Sequence, residues 1–329
     1  MKKTFMFCFV CILFLIGCQE DISETEEKQV SPGQSLNLNV AQYIGHDLSE
    51  VINDLKMSYE QGPSGYGYEW VVFKDENKYI SVGHVNSQVV TVAVAGENVL
   101  GGDVVIGDKY DDIAKVLPIQ HSAVTINNKK GNYRFELTDE ERNVRPLVKL
   151  SENVYAQLYF DRFSRTLVAV RVMDDETLIK HRPYRLVYRG DLKKFTSTSQ
   201  AHQTEIDRMN EKQIYDLTNV LRRQYGKAKL SWSNNLANVA FRHSKDMKEH
   251  LFFDHISPTN GDLENRLKKG NIAYTIAGEN IAFGYPDGFD AVIGWLNSPD
   301  HRETLLYDEF THIGVGVHEK YYTQNFIRK

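Results

Sequence analysis

The chain, 329 residues long, reads as an α+β protein: a mainly β region built from two related halves, then a smaller α+β sandwich. Three observations lead there. Strand-like apolar runs separated by turn residues fill residues 38–190. Within them a short pattern recurs at a step of 62 residues. Residues 210–329 carry helical stripes followed by two closing strands. Helices that flank a small antiparallel sheet bury their apolar faces as layers of one sandwich.

In chain order, Lys2 and Lys3 precede an apolar run from Phe5 to Ile16. It is short for a membrane-spanning helix and suits a signal-peptide core. It ends in Leu15-Ile16-Gly17-Cys18, which resembles a bacterial lipobox. That resemblance implies a lipoprotein signal peptide over residues 1–17 and a diacylglycerol on Cys18. The mature protein would be extracytoplasmic and lipid-anchored to the cell membrane. An ordinary signal peptide with an incidental cysteine is the alternative. Cys8, Cys11 and Cys18 are the only cysteines, so the mature chain has no disulfide and must fold on burial, which its size permits. Residues 18–37 are polar and acidic, with Glu20, Asp21, Glu24, Glu26 and Glu27, and form an extended tether. The formal charge of −5 becomes two units more negative once Lys2 and Lys3 are cleaved off. An acidic chain with no basic stripe argues against nucleic acid and against electrostatic adhesion to anionic lipid.

Residues 38–190 form the first folded domain. Tyr43-Ile44-Gly45-His46-Asp47 is followed by Leu48, Val51, Ile52 and Leu55 at helical spacing. Val105-Ile106-Gly107-Asp108 is followed by Tyr110, Ile113, Val116 and Leu117 in the same way. Strand-like runs follow at residues 70–73, 88–94, 154–160 and 166–172. Two copies of one unit, packed together, account for this pattern. Gly96-Glu97-Asn98 closes an apolar strand and reads as a hairpin turn. His46, His84 and His121 are isolated and read as surface or capping groups. Residues 191–209 lack a large apolar cluster and read as the linker.

Residues 210–329 form the second domain. Asn210 and Gln213 make a capping-box signature, so a helix starts there with Ile214, Leu217, Val220 and Leu221 on one face. Gly226 is its stop signal. A second helix spans residues 235–250, with Leu236, Val239, Ala240, His243 and Met247 on its inner stripe. His243 is therefore a satisfied core histidine before it is a ligand. A third helix covers residues 290–296. Ser298-Pro299 starts another, with the serine oxygen accepting the backbone N–H of His301. Two strands, residues 313–318 and 322–327, close the domain.

Five blocks stand out in order: Phe-Phe-Asp-His-Ile-Ser-Pro (252–258), Gly-Glu-Asn-Ile-Ala (278–282), Trp-Leu-Asn-Ser-Pro-Asp-His-Arg (295–302), Gly-Val-Gly-Val (314–317) and Tyr-Tyr-Thr-Gln (321–324). Together they resemble the CAP superfamily of cysteine-rich secretory, antigen 5 and pathogenesis-related class 1 proteins, in its cysteine-free bacterial branch. The resemblance implies an α-β-α fold with a ligand cleft lined by His255, Glu279 and His301. Ser298 stands where eukaryotic members carry a second acid, which puts any carboxylate-pair mechanism in doubt. Residues 38–190 resemble the domain that precedes bacterial CAP domains. Arg266 and Gln324 match recurrent family positions and read as polar bracing under the cleft.

Taken as residues alone, two neutral imidazoles and a carboxylate form a three-ligand set that Zn²⁺ accepts. His255 and His301 are the metal ligands in that reading, and zinc the cofactor. A metal-free His–Glu–His brace is the alternative, and a Ser298–His301–Glu279 triad a remote one. The leading functional reading is a lipid-anchored binding module at the cell envelope. Its partners are the membrane, through Cys18, and a small apolar lipid or a cell-wall ligand. A metal-dependent hydrolase of peptide or envelope polymer, with Glu279 activating water, is the second reading. A structural envelope interaction protein is the third. Enzymatic activity stays open, with the non-enzymatic reading ahead.

Overall fold

Gly45 and Gly107, both with positive φ, open the two halves of the β region in matching ways. The computed structural model describes residues 39–99, 102–192 and 199–329; the signal segment, Cys18 and the acidic tether lie outside them. The first half runs from a 3₁₀ turn (Asn39–Tyr43) through α1 (Leu48–Leu55), β1 (Tyr59–Pro63), β2 (Glu69–Phe73), β3 (Lys78–Val85) and β4 (Gln88–Gly96). The second comprises α2 (Tyr110–Val116), β5 (Ala123–Asn128), β6 (Gly131–Glu136), α3 (Asp139–Val144), β7 (Leu147–Lys149), β8 (Val154–Phe160) and β9 (Leu167–Asp174), then α4 (Asp175–His181) and β10 (Arg185–Gly190).

The repeat is visible in single hydrogen bonds. Gly45 N–H donates to Val89 O, and Gly107 N–H donates to Leu167 O, each at 2.8 Å. Leu48 and Tyr110, the first residues of α1 and α2, donate to Ser87 O and Arg165 O at the tips of the β3–β4 and β8–β9 hairpins. The halves meet at β4 and β9, the adjacent strands of an antiparallel seven-stranded sheet ordered β1-β2-β3-β4-β9-β8-β7. A three-stranded sheet, β10-β6-β5, completes the region. Gly96-Glu97-Asn98 is a turn, but it leads from β4 into the second half; the β3–β4 hairpin turns at Asn86 and Ser87, both with positive φ.

The large sheet is buried on both faces. One face, with Val71, Phe73, Val92, Val94, Val170 and Val172, packs under α1 and α2. That double burial is why its strands read as continuous apolar runs instead of alternating ones. The other face, with Trp70, Tyr79, Ala93, Ala95 and Tyr159, shares one core with the C-terminal residues Leu217, Val220, Phe289 and Val292.

Those residues belong to α5 (Gln200–Gln224) and α8 (Gly288–Leu296). The C-terminal part also contains β11 (Ser231–Trp232), α6 (Asn234–Glu249), α7 (Leu263–Lys269), β12 (Ile276–Phe283), α9 (Pro299–Leu306), β13 (His312–His318) and β14 (Tyr321–Arg328). Its sheet is ordered β11-β13-β14-β12. Gly314 and Gly316 on β13 let α6 lie directly on the sheet: a Cβ there would sit 2.2 Å from Ala237 N and 1.9 Å from Phe241 N.

One boundary differs from the sequence reading. The helix expected to start at Asn210 starts ten residues earlier, at Gln200, capped by the Ser199 hydroxyl accepting from His202 N–H. Much of the supposed linker is therefore helix. Ile206 and Met209 alone supply its large apolar contacts, too few to show a period. The capping box does not form; the Asn210 side-chain oxygen instead accepts the N–H of Gly288, the first residue of α8.

A buried ion cluster joins the two parts. Arg171 on β9 donates to both oxygens of Asp287, at 2.9 Å, and to Asp290 at 3.0 Å. All three side chains are at most 5 % exposed. Burial is the largest influence and raises both carboxylates. At Asp287 the Arg171 charge, its hydrogen bonds and the Asp290 N–H together with His181 outweigh it and the pKa is lowered, whereas at Asp290, which also faces Asp287, the pKa is raised. Arg171 also donates to His181 Nδ1, so the opposite nitrogen donates to the Tyr68 oxygen at 2.9 Å. Burial and the guanidinium push His181 down to about 3, leaving it neutral.

Arg171→Leu leaves two acids uncompensated and should cost about 3–5 kcal/mol. Urea denaturation would show it, with both parts still unfolding in one transition. A second test concerns Asp207 and Glu211 on α5, which accept N–H groups from Glu319 and Val317 beside the β13–β14 turn. Burial pushes them up to about 6 and about 7. Raised acids favour the native state at low pH, and that contribution is lost as pH rises from about 4 to about 7. The stability difference between the native sequence and Asp207→Asn/Glu211→Gln should fall across that window.

Candidate functional site

The loop after α6 carries His255, and α6 itself holds that loop in place. Asp246, on the last turn of α6, accepts hydrogen bonds from the hydroxyls of Ser257 and Thr259 and from the Asn260 amide. Burial would raise its pKa, but these donors, together with His250, bring it below the ordinary carboxylate value. Ser257 Oγ in turn accepts the N–H groups of Thr259 and Asn260, at 3.1 and 2.8 Å. One carboxylate and one hydroxyl thus define the whole turn.

His243 stands one helical turn before Met247 and is buried, as its place on the apolar stripe implied. Its Nε2 donates to Asp254 O at 3.1 Å, on the same loop. Burial lowers its pKa, and Arg266 adds to that lowering against the opposing Glu279. It is a neutral core histidine that helps carry the loop.

Glu279 comes from β12, paired with Asn325 of β14. Its side chain is 3 % exposed, and both oxygens are taken. Oε2 accepts from Arg266 Nη2 at 2.6 Å, and Oε1 from His255 Nδ1 at 2.9 Å. A carboxylate only accepts, so His255 carries its proton on Nδ1 and, when neutral, presents Nε2 as an acceptor. Arg266 Nη1 donates to the carbonyls of His255 and Gly261 at 2.7 and 2.8 Å. The same guanidinium thereby fixes the acid and the backbone of the histidine that the acid holds. The His255 side chain remains 51 % exposed.

The next residue, Asn280, faces the opposite side of the strand. Its amide donates to His301 O at 3.1 Å and to Gln324 Oε1 at 3.4 Å. Gln324 then donates to Thr218 on α5 at 2.7 Å. Gly278 lets α9 and Phe310 close against the strand: a Cβ would lie 2.7 Å from the phenyl ring and 3.1 Å from Thr304. His301 sits on the first turn of α9, and burial followed by the charge of nearby His255 lowers its pKa.

Ser298 caps α9 with Pro299 in the first turn, but its hydroxyl does not accept a backbone N–H. It pairs with His301 Nδ1 at 2.9 Å. The side chains reach each other across i and i+3, and the ring competes successfully with the N–H. The acid and the serine thus engage different imidazoles, Glu279 that of His255 and Ser298 that of His301. Glu279 is committed to Arg266 and His255, and a guanidinium in direct contact opposes a cation at that carboxylate. Among the described residues no group of three or more His, Cys, Asp or Glu side chains is arranged to hold a metal ion.

Exposed apolar side chains accompany His255, beside the equally exposed Asp254. Leu251, with φ +55°, Phe253, Ile256 and Phe283 are all at least half exposed, and the Phe253, Phe283 and Tyr321 rings follow one another at 6.3 and 4.4 Å. Asp246 escaped the sequence reading. Its one signal was an acid beside an otherwise apolar helical stripe.

Comparison with known proteins agrees with this architecture. Residues 44–184 match the CAP-associated N-terminal domain, and residues 215–327 match the cysteine-rich secretory protein family. YlbC of Bacillus subtilis, described as an uncharacterized membrane protein, is 40 % identical over 98 % of this chain and 96 % of its own length. An extracellular protein of Bacillus anthracis containing an SCP domain has a crystal structure that superposes with a TM-score of 0.83. It is 43 % identical and covers 92 % of this chain and 99 % of its own. A cysteine-rich secretory protein from Staphylococcus aureus gives 0.78 at 25 % identity, over 88 % of this chain and 92 % of its own.

Removing Glu279 with Ala should cost about 3 kcal/mol, because Arg266 is left buried without its counter-charge. His255→Ala, at a half-exposed ring, should cost under about 1 kcal/mol. Chemical denaturation of both variants checks the contrast.

Proposed function

The chain belongs to the cysteine-rich secretory protein (CAP) family, and from that premise we propose that it is an extracytoplasmic binding module at the cell envelope. The observation that carries this is the mounting of His255. Its imidazole is half exposed on a buried Glu279–Arg266 pair, among exposed Leu251, Phe253, Ile256 and Phe283. A polar acceptor set in an apolar field suits a ligand with a hydrogen-bond donor and a hydrocarbon part, such as an envelope lipid. Ser298 and His301 are the neighbouring groups of that site in this reading. A structural core histidine would have no reason to be open to solvent.

Location follows from the relatives. One is named a membrane protein and another an extracellular protein, and the chain begins with a signal-like segment ending at Cys18. We assign membrane attachment to a diacylglycerol on Cys18, because Leu15-Ile16-Gly17-Cys18 resembles a bacterial lipobox. Residues 38–190 and 210–329 are kept as two domains of origin that share one core.

The metal-dependent hydrolase finds no support in the geometry, since the carboxylate that would activate water is engaged by Arg266. Zinc would be left with an imidazole pair alone. Calorimetric titration of zinc into a soluble form beginning at residue 19 should give no one-to-one binding that His255→Ala/His301→Ala removes. Lipid binding tests the main reading. Delipidated protein should take up fluorescent fatty acid or phospholipid, and Phe253→Ser/Phe283→Ser should weaken uptake about tenfold or more. Equal uptake by that variant would move the ligand away from this surface.

A further inference from the structure

A recess lies where the two parts of the molecule meet, adjoining the His255 site only through Ser298. Its volume is about 450 Å³, inside the roughly 300–1,000 Å³ range of small-molecule sites. One wall is α3 and the residue after it, with Glu140, Glu141, Val144 and Arg145; the other is the end of α8. Tyr159 and Asp290 form the floor, and Tyr285 lines it beside Ile293 and Gly294. Gly294 is needed for that wall: a Cβ there would lie 2.2 Å from the Tyr285 hydroxyl.

The solvent-facing charges of this recess cancel in pairs. Arg145 donates to Glu141 at 2.9 Å, and Arg162 on the rim donates to Glu140 at 3.0 Å. Asp290, at the floor, is met by Arg171 at 3.0 Å and by the Tyr159 hydroxyl at 2.8 Å. A charged ligand would have to shed water without gaining an unmatched counter-charge, which is unfavourable. An uncharged one can exchange hydrogen bonds with the paired groups while leaving the pairs intact. Val144, Ile293 and the Tyr285 ring supply apolar area between those polar groups. The complement is a molecule with C–H faces and a rim of hydroxyls or amides.

We propose that this recess is a binding site for an uncharged sugar, in the size range of a disaccharide. The proposal is independent of the lipid reading of the His255 surface. The two places touch at one residue, Ser298, which lines the recess and bonds to His301.

The test uses the folded chain from residue 19 onward and three uncharged disaccharides, of glucose, of mannose and of N-acetylglucosamine. Binding is read by calorimetry and by protection of the Tyr285 environment in NMR. At least one should bind, and an anionic disaccharide of galacturonic acid should bind at least tenfold more weakly. Val144→Trp, which fills the recess from a partly exposed position, should abolish binding; Glu140→Ala/Arg162→Ala, on the rim, should weaken it about threefold to tenfold. His255→Ala should leave sugar binding unchanged. Failure of all three uncharged sugars would overturn the proposal. So would preference for the anionic sugar, or undiminished binding by the Val144 variant with native near-UV circular dichroism. Loss of sugar binding in His255→Ala would place the sugar at the other surface and overturn it too.

Discussion

Arg171 is the interaction on which the arrangement of the two parts rests. Its guanidinium comes from the central sheet of the first part and ends on Asp287 and Asp290, at the start of α8 in the second. With water excluded, neither the cation nor the acids can stand alone, so the parts are bound to one relative position. The cluster adds direction to a contact that apolar packing alone would leave free to slide. Asp287 also accepts the N–H of Asp290, so the same charge that meets Arg171 caps the helix.

From there the constraint passes inward to the candidate site. Helix α5 lies between the large sheet and the small one and shares the core of both. Thr218 on α5 meets Gln324, Gln324 meets Asn280, and Asn280 holds the backbone of His301. On the other side of β12, Glu279 meets Arg266 and His255. One strand thus presents alternate residues to two networks, a direct use of the two-residue strand period. Gly278, Gly314 and Gly316 keep helices close enough for these short side chains to reach.

Much of this was legible in the sequence, and the exceptions are instructive. The two-copy construction showed because Gly45 and Gly107 begin equivalent turns, and the large sheet showed because double burial made its strands continuously apolar. The apolar stripes of α5, α6 and α8 showed through periodicity, the end of α5 through Gly226 and the start of α9 through Ser298-Pro299, whereas α7 did not show. The first turns of α5 did not, since Ile206 and Met209 are too sparse to betray a helix. Nor did β12, whose Gly-Glu-Asn block looks polar because both its faces serve hydrogen-bond networks. Site residues were legible by type, but their partners were not. Linear spacing could not reveal that Arg266 takes the Glu279 oxygen that a metal would need. It could not tell the Ser298 hydroxyl's choice of a ring over a backbone N–H. Arg171 and its two acids, far apart in the chain, left no trace at all.

The support under His255 has a consequence for recognition. Its ring is pinned at Nδ1, its carbonyl is held by Arg266, and its loop is closed by Asp246. An exposed side chain normally forfeits rotational freedom when it grips a partner, at a cost of about 0.5–1.5 kcal/mol for each ordered group. Here that entropy has already been surrendered during folding. In the role proposed for this surface the imidazole would meet a ligand preorganised, so even a small contact area would yield useful affinity.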